Sequence, residues 1–175
     1  MIGEETCCSA TRAMLAYARG LMRGDDTPRL GPEGPSAADR IFVVNRRPDD
    51  TLPAVGDGLD ALFAPHDRAG DLARMFSPPE RRLVLALLDG VAASGEPGVI
   101  RAHGQAFDGA RVDVELMLGA LPSFWSRGDR FLGHAIALGA DPKLLAGRLT
   151  IGALLTPEAP RPRPKPQLRL VVSNP

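Results

Sequence analysis

Two carboxylates, Asp113 and Glu115, lie two residues apart in the stretch RVDVELML, residues 111–118. On a β-strand such side chains point to the same face about 7 Å apart, a separation that suits the acid and base of an inverting glycosidase. That chemistry needs a cleft in which the pKa of one carboxyl group is raised. The alternation of apolar and polar residues instead predicts a strand with one wet face. The neighbouring strand decides between these two interpretations.

The apolar run 98–107 precedes this strand and is joined to it by FDGAR, a hairpin signal. A two-residue Asp108-Gly109 loop would mix apolar and polar residues on both faces. A three-residue loop, 108–110, places Phe107 opposite Arg111 and keeps the faces separate. The polar face then holds Arg101, His103, Gln105, Asp113 and Glu115. Because cross-strand cations lower carboxylate pKa values, this register predicts that the two carboxylates are structural and not catalytic.

Three histidines are further candidates for acid–base or ligand chemistry. His66 falls in the loop-like stretch APHDRAG, and His103 falls on the polar sheet face. His134, in RFLGHAIAL, alternates with Leu132, Ile136 and Leu138, so the pattern places it on the inner, apolar face of its strand. The opposite, outer face of that strand would carry Phe131, Gly133, Ala135 and Ala137. A buried histidine is more often structural, but His134 is the candidate for a ligand contact.

The cysteines indicate a reducing compartment. Cys7 and Cys8 are adjacent near the start of the chain, which suits neither a disulfide framework nor a CxxC motif. The start MIGEETCCSATR lacks the basic and apolar regions of a secretion signal, and no run approaches the roughly 18 apolar residues of a membrane span. We therefore expect a soluble cytoplasmic protein. No metal-site spacing, phosphate-binding glycine motif or GxSxG motif is present.

Charge excludes another class of partner. The 175 residues include 21 basic and 21 acidic side chains, so no net field attracts nucleic acid or an anionic membrane. Without a basic groove, Phe124, Trp125 and the other aromatic residues do not predict a stacking surface for single-stranded nucleic acid. Trp125, in the loop PSFWSRGD, instead predicts a contact with a protein partner.

The elements that must position these residues follow from periodicity and capping signals. An amphipathic helix over residues 9–22 ends at Gly24 and is followed by a Gly/Pro-rich connector. Ser77, with Pro78 and Glu80, predicts the start of a long helix over residues 78–94, with Leu83, Leu87, Leu88 and Val91 as its buried stripe. The remaining predicted elements are strands at 40–45 and 51–58, short helices at 59–63 and 70–76, strands at 98–107, 111–121 and 130–138, and a short helix started by Asp141 and Pro142.

This order of elements resembles a PAS domain, an α+β fold with a five-stranded antiparallel sheet and helices on one face. The stretches that carry the resemblance are MLAYARGLMRGDDTP, LFAPHDRAGDLARMFSPPERRLVLALLDGVAASGEPGV, VDVELMLGAL and DRFLGHAIAL. The chain is similar, more specifically, to short single-domain bacterial PAS proteins formerly described as a domain of unknown function. The expected organisation is an N-terminal helix and connector (1–39), a PAS-like domain (40–140), a short C-terminal helix (141–155) and a Pro/Arg-rich tail (156–175), which is either a docking peptide or a solvated linker.

The resemblance implies a non-enzymatic sensory or regulatory module that binds a protein partner or a second copy, with room for a small ligand in its core. The expected cavity-lining residues are Leu83, Leu87, Ile100, Val114, Leu116, His134 and Ile136. The expected interface residues are Met14, Tyr17, Leu21, Met117, Leu121 and Trp125, with the N-terminal helix covering the outer sheet face within the chain or across a homodimer.

The sequence does not identify a cofactor. No helix holds a cysteine for the flavin-adduct chemistry of light-sensing PAS domains, and the long helix has no histidine for the usual haem ligation. Two alternatives remain open: a small-molecule enzyme that uses His134 as acid or base, and a purely structural dimerisation module.

Overall fold

A computed structural model describes residues 4–25, 39–60, 62–63, 70–122, 129–139 and 144–156. Two α-helices are present in this part of the chain, α1 (Ser9–Arg23) and α2 (Pro78–Ser94), with short 3₁₀ helices at Glu4–Thr6, Asp57–Leu59 and Leu72–Met75. The strands are β1 (Ile41–Asn45), β2 (Ala54–Val55), β3 (Gly98–Ala106), β4 (Arg111–Ala120), β5 (Arg130–Leu138) and β6 (Leu145–Leu155). None of the described helices is long and apolar enough to cross a membrane.

The helix boundaries confirm the capping predictions. α1 ends at Gly24, whose positive φ of 75° suits a residue without a Cβ atom. α2 begins at Ser77, which forms a capping box with Glu80. The buried stripe of α2 is Val84, Leu87, Leu88 and Val91, so the prediction of Leu83 was wrong: its side chain is 45% exposed. Positions 84, 87, 88 and 91 follow the i, i+3, i+4, i+7 spacing of one helical face, and Leu83 lies beside it.

All strand pairs are antiparallel and form one sheet in the order β2-β1-β5-β4-β3-β6. The predicted sheet had five strands, and β6 is the sixth. It replaces the short helix predicted over residues 141–155, of which 141–143 lie outside the described residues. Gly147 and Gly152 are unfavourable in a helix interior, while Thr150 and Ile151 favour a strand. The helix predicted after Asp141 and Pro142 is therefore wrong over residues 145–155.

The edge of β6 that faces away from β3 is covered by groups from residues 62, 76 and 80. The Leu145 N–H donates to the Leu62 carbonyl at 2.7 Å, and Phe76 forms an isolated parallel β-bridge with Leu149. The Ile151 N–H donates to Oε1 of Glu80 at 2.7 Å. These contacts use backbone groups that an exposed edge strand would offer to another chain.

The β3–β4 hairpin keeps the predicted faces but not the predicted register. Gln105 pairs with Arg111, and the loop comprises residues 107–109. Gly109, with a φ of 80°, occupies the left-handed position at the end of a three-residue loop, so the loop lies one residue earlier than expected. The pairing moves by two positions, which leaves every side chain on its predicted face.

The faces of β5 are the reverse of the prediction. Met117 pairs with His134, which places His134 on the outer face, and Ile136 pairs with Glu115 on the same face. The small residues of β5 lie on the inner face because the Phe42 ring of β1 fills the space there. A Cβ atom at Gly133 would lie 2.3 Å from that ring. Gly133 therefore accommodates an aromatic ring and not the N-terminal helix.

Two apolar cores lie on opposite sides of the sheet. The inner core joins the sheet to α2 and the short helices, and its largest buried side chains include Phe42, Phe63, Phe76 and Phe131. The outer core lies between the sheet and α1. It consists of Cys7, Met14, Leu15, Ala18, Val99, Met117 and Leu132. The prediction that the N-terminal helix covers the outer face near Met117, Gly119 and Leu121 is confirmed within one chain.

Candidate functional site

Glu115 is the charged residue at the centre of the outer face, and its side chain is 0% exposed. Oε2 accepts the backbone N–H of Cys8 at 3.0 Å. Oε1 accepts Nε and Nη2 of Arg101 at 2.9 and 2.8 Å. Because Cys8 is the N-cap residue of α1, the carboxylate from β4 lies at the positive end of the helix dipole. Glu115 therefore anchors the start of α1 to the sheet.

The segment before α1 is tied to the same position. Arg101 also donates to the carbonyl of Thr6. Sγ of Cys8 accepts the Thr11 N–H at 3.5 Å and lies 3.2 Å from the Thr11 hydroxyl. We call the set Cys8, Thr11, Arg101 and Glu115 the helix anchor. Its members come from α1, β3 and β4, so the anchor is complete only when α1 lies on the sheet.

The electrostatics of the helix anchor favour an ionised carboxylate and protonated thiols. Desolvation raises the pKa of Glu115, but hydrogen bonds from Arg101, Thr11 and Cys8 outweigh it and hold the pKa below its ordinary value. Burial, with the nearby Glu115 charge, raises the pKa values of Cys7 and Cys8. The two thiols are therefore poor nucleophiles at neutral pH.

His134 lies on the same face and is also 0% exposed. Neither ring nitrogen has a hydrogen-bond partner among the described residues. Burial and the Arg40 charge lower its pKa to about 4, against the opposing influence of Glu115. The imidazole is therefore neutral at pH 7. His134 pairs with Met117 on β4, two residues from Glu115 on the same face, so the two side chains are diagonal neighbours across the strands.

The cavity-lining residues predicted from the sequence separate into three groups. Leu87, Ile100, Val114 and Leu116 are buried in the inner core. Leu83 is exposed on α2, while His134 and Ile136 lie on the outer face, so these three cannot line an inner cavity.

Two pockets in the described part of the chain lie elsewhere. One, of about 290 Å³, is bordered by Ala54, Val55, Gly56, Asp57, Leu59, Asp60, Phe63, Gly70 and Met75. Another, of about 300 Å³, lies on the outer face near Arg101, His103, Arg111 and Asp113. Neither is bordered by His134, Leu87, Ile100 or Leu116, but Val114, another of the predicted cavity-lining residues, borders the second pocket.

Asp113 and Glu115 occupy different environments. Asp113 accepts Nε of Arg111 at 2.9 Å at the protein surface, where both side chains are more than half exposed. Glu115 is enclosed by α1. The structural role predicted for the pair agrees with these contacts, but the expectation that Glu115 faces water was wrong, because the N-terminal helix covers it. Among the described residues no group of three or more His, Cys, Asp or Glu side chains is arranged to hold a metal ion.

The predicted interface residues fall between α1 and the sheet of one chain. Met14 and Met117 are fully buried there, and Tyr17, Leu21 and Leu121 pack partly buried beside them. Trp125 and His66 lie outside the described residues. Cys8, Thr11 and Arg40 also belong to this region, although the sequence pattern did not predict them. The CCSATR stretch before the apolar stripe was an available signal, since a polar residue there caps a helix.

Comparisons with known proteins give little further information. No protein-family model matches the chain. No curated protein matches it. Among solved structures it is similar to an RNA-binding light-oxygen-voltage receptor, with 19% identity, a TM-score of 0.40 and coverage of 62% of this chain. The match spans 33% of the receptor, so the matched part of this chain corresponds to about one third of that protein's length.

Proposed function

We propose that the chain is a non-enzymatic cytoplasmic regulatory module of the PAS type, which acts by binding a partner protein or a second copy of itself. The observation that supports the proposal best is the way α1 is held. It has its own outer core and its own polar anchor, and it contributes nothing to the inner core. A helix attached in this way can move without unfolding the domain.

The order of elements supports the PAS-type proposal independently of any single residue. Two strands, short helices, one long helix and a three-stranded antiparallel meander follow each other as the resemblance implies. The sixth strand extends the sheet beyond β3 and leaves that arrangement intact.

The arrangement of His134 disfavours the enzyme alternative. A general acid or base needs hydrogen-bond reach to a substrate or to a carboxylate that orients it. His134 is covered on the outer face, and its nitrogens have no partner among the described residues. The anchor carboxylate is engaged by Arg101 and Cys8, so it does not orient the imidazole.

The binding surface we propose is the contact between α1 and the outer sheet face. A partner helix would take the place of α1 over Met117 and Leu121, or α1 would dock on a second copy in the same way. The pocket beside Met75 and Phe63 gives a small ligand a site next to the inner core, where it would act on the short helices.

Native mass spectrometry and size-exclusion chromatography of the natively purified full chain test the proposal. We expect a homodimer or a co-purifying protein that is lost in Leu121→Lys, whose side chain packs against α1. Leu83→Lys is the matched control, because Leu83 is exposed on the opposite side of the sheet. A monomer without ligand or partner would contradict the proposal, and a dimer that survives Leu121→Lys with no ligand would favour the structural dimerisation module.

A further inference from the structure

The outer face contains a buried histidine that nothing in the fold requires to be a histidine. His134 is fully enclosed, and each of its ring nitrogens lacks a partner among the described residues. A buried polar group without a hydrogen bond destabilises a protein, so a leucine or methionine would pack there at lower cost. The groups that face it suggest what the imidazole does.

Apolar side chains surround His134 on both neighbouring strands, Ile41 on β1 and Met117 on β4. The buried side chains of α1 are Ala10, Thr11, Met14, Leu15 and Ala18, and none of them is charged. The charged groups that influence the imidazole are Arg40, next to β1, and Glu115 on β4. The cation opposes protonation, and the anion is already held by Arg101 and by the start of α1.

A proton on His134 would therefore create a buried cation beside the helix anchor. The imidazole is 0% exposed and borders neither described pocket, so the charge would be desolvated while α1 is docked. Two responses relieve the charge: Glu115 turns towards the imidazolium and releases the Cys8 N–H, or α1 lifts and admits water. Both remove the attachment of α1 to the sheet.

We propose that His134 and Glu115 make the docking of α1 a protonation-controlled latch, in which uptake of a proton by the imidazole releases the helix from the outer sheet face. The inference builds on the proposed function only in treating the position of α1 as the output of the module. Protonation would expose Met117, Leu15 and Met14 to a partner or a second copy.

The direction of the effect follows from linkage. The docked state holds the imidazole at a pKa of about 4, and the released state returns it to its ordinary 6.5. Docking is therefore fully stable above pH 6.5 and weakens as the pH falls towards 4. These two values make release about 30-fold more favourable at pH 5.0 than well above pH 6.5.

Amide hydrogen exchange of the full chain, corrected for the intrinsic pH dependence of exchange, tests the latch. We expect the opening equilibrium of residues 9–23 to rise about 30-fold from pH 7.5 to 5.0, while residues 78–94 keep their protection. His134→Leu should abolish the rise. His103→Gln is the matched control on the same sheet face; it is only partly buried and should leave the rise unchanged.

Constant protection of α1 in the wild-type chain, or a rise that persists in His134→Leu, would overturn the latch. If His134→Leu does not fold, an NMR titration of the wild-type imidazole decides: ordinary titration of His134 near pH 6.5 with α1 still protected also overturns it. No partner is present in either measurement, so a failed latch leaves the dimer and partner test of the proposed function unaffected.

Discussion

The two sides of the sheet are packed by different means. The inner core is apolar, with four fully buried phenylalanines, Phe42, Phe63, Phe76 and Phe131. Three of the four buried polar or charged residues in the described part of the chain, Thr11, Glu115 and His134, lie on the outer side under α1. Apolar packing is insensitive to pH, whereas a layer that completely buries a carboxylate and an imidazole is not. The inner side therefore holds the fold, and the outer side is suited to change.

Removal of a phenylalanine ring from the inner core should have the largest effect on stability. Phe42→Ala leaves a cavity opposite Gly133, and we expect a loss of about 3–5 kcal/mol in the free energy of unfolding. Urea denaturation followed by circular dichroism measures it. Val55→Ala is the control, since Val55 is 67% exposed. A small loss for Phe42→Ala would contradict the assignment of the inner side as the stabilising layer.

Removal of the anchor carboxylate should act on the outer layer first. Glu115→Ala leaves Arg101 and the Cys8 N–H without their acceptor, and we expect a loss of about 2–4 kcal/mol, less than for a fully buried pair because Arg101 is 30% exposed. Hydrogen exchange should show α1 losing protection before α2.

Glu115→Gln serves as the matched variant because its amide oxygen still accepts the Cys8 N–H. Its loss should be clearly smaller. Equal protection of α1 and α2 in Glu115→Ala would mean that the two layers unfold together, and the comparison between them would fail.

Periodicity and capping signals predicted well those features that depend on residues close by in the sequence. The helix caps at Ser77 and Gly24, and the apolar faces of β3 and β4, depend on neighbours in the sequence. The face of β5 depends on Phe42, which lies far away in the chain and fills the space over Gly133. Both faces of β5 are buried, so burial alone did not distinguish them: Phe131 and Ala135 lie in the inner core, and Leu132 and His134 lie under α1.

The environment of the residues under α1 could not be predicted from the sequence pattern in the same way. The alternation of apolar and polar residues in β4 predicts that Glu115 is exposed to water. Glu115 is buried only because α1 packs over it. His134 was placed on the wrong face for a different reason, because Phe42 fills the inner space over Gly133 and so sets the faces of β5. β6 was missed because an Asp-Pro capping signal was given more weight than Thr150 and Ile151. The errors at Glu115 and His134 concern residues whose environment is set by a distant element, whereas the error at β6 came from local signals.

A fall in pH should destabilise the outer side of the sheet through His134. Its pKa is about 4 when folded and 6.5 ordinarily, so stability is lost as the pH falls below 6.5. We expect this residue to remove about 2 kcal/mol from the free energy of unfolding between pH 7.5 and 5.0. Urea denaturation of His134→Leu should lack that part of the pH dependence, whereas His103→Gln should retain it. Identical pH profiles for wild type and His134→Leu would contradict the low pKa.

A second glutamate, Glu80, has the smallest expected effect. It attaches the start of a helix to the sheet on the inner side, as Glu115 does on the outer side. It accepts Ser77 Oγ at 2.6 Å and the Ile151 N–H at 2.7 Å, and so fastens the start of α2 to β6. Desolvation raises the pKa of Glu80, but these hydrogen bonds hold it below its ordinary value, so its contribution disappears only as the pH falls through that lowered pKa.

Glu80→Ala should cost about 1–2 kcal/mol, a lost helix cap and one lost hydrogen bond, because this carboxylate is only partly buried. The amide of Ile151 should exchange faster, while α1 keeps its protection. Arg82→Ala, on the exposed face of the same helix, is the control and should change neither. If Glu80→Ala loosened α1 as well, the outer layer would depend on the inner fastening, and the two sides of the sheet would not be separable.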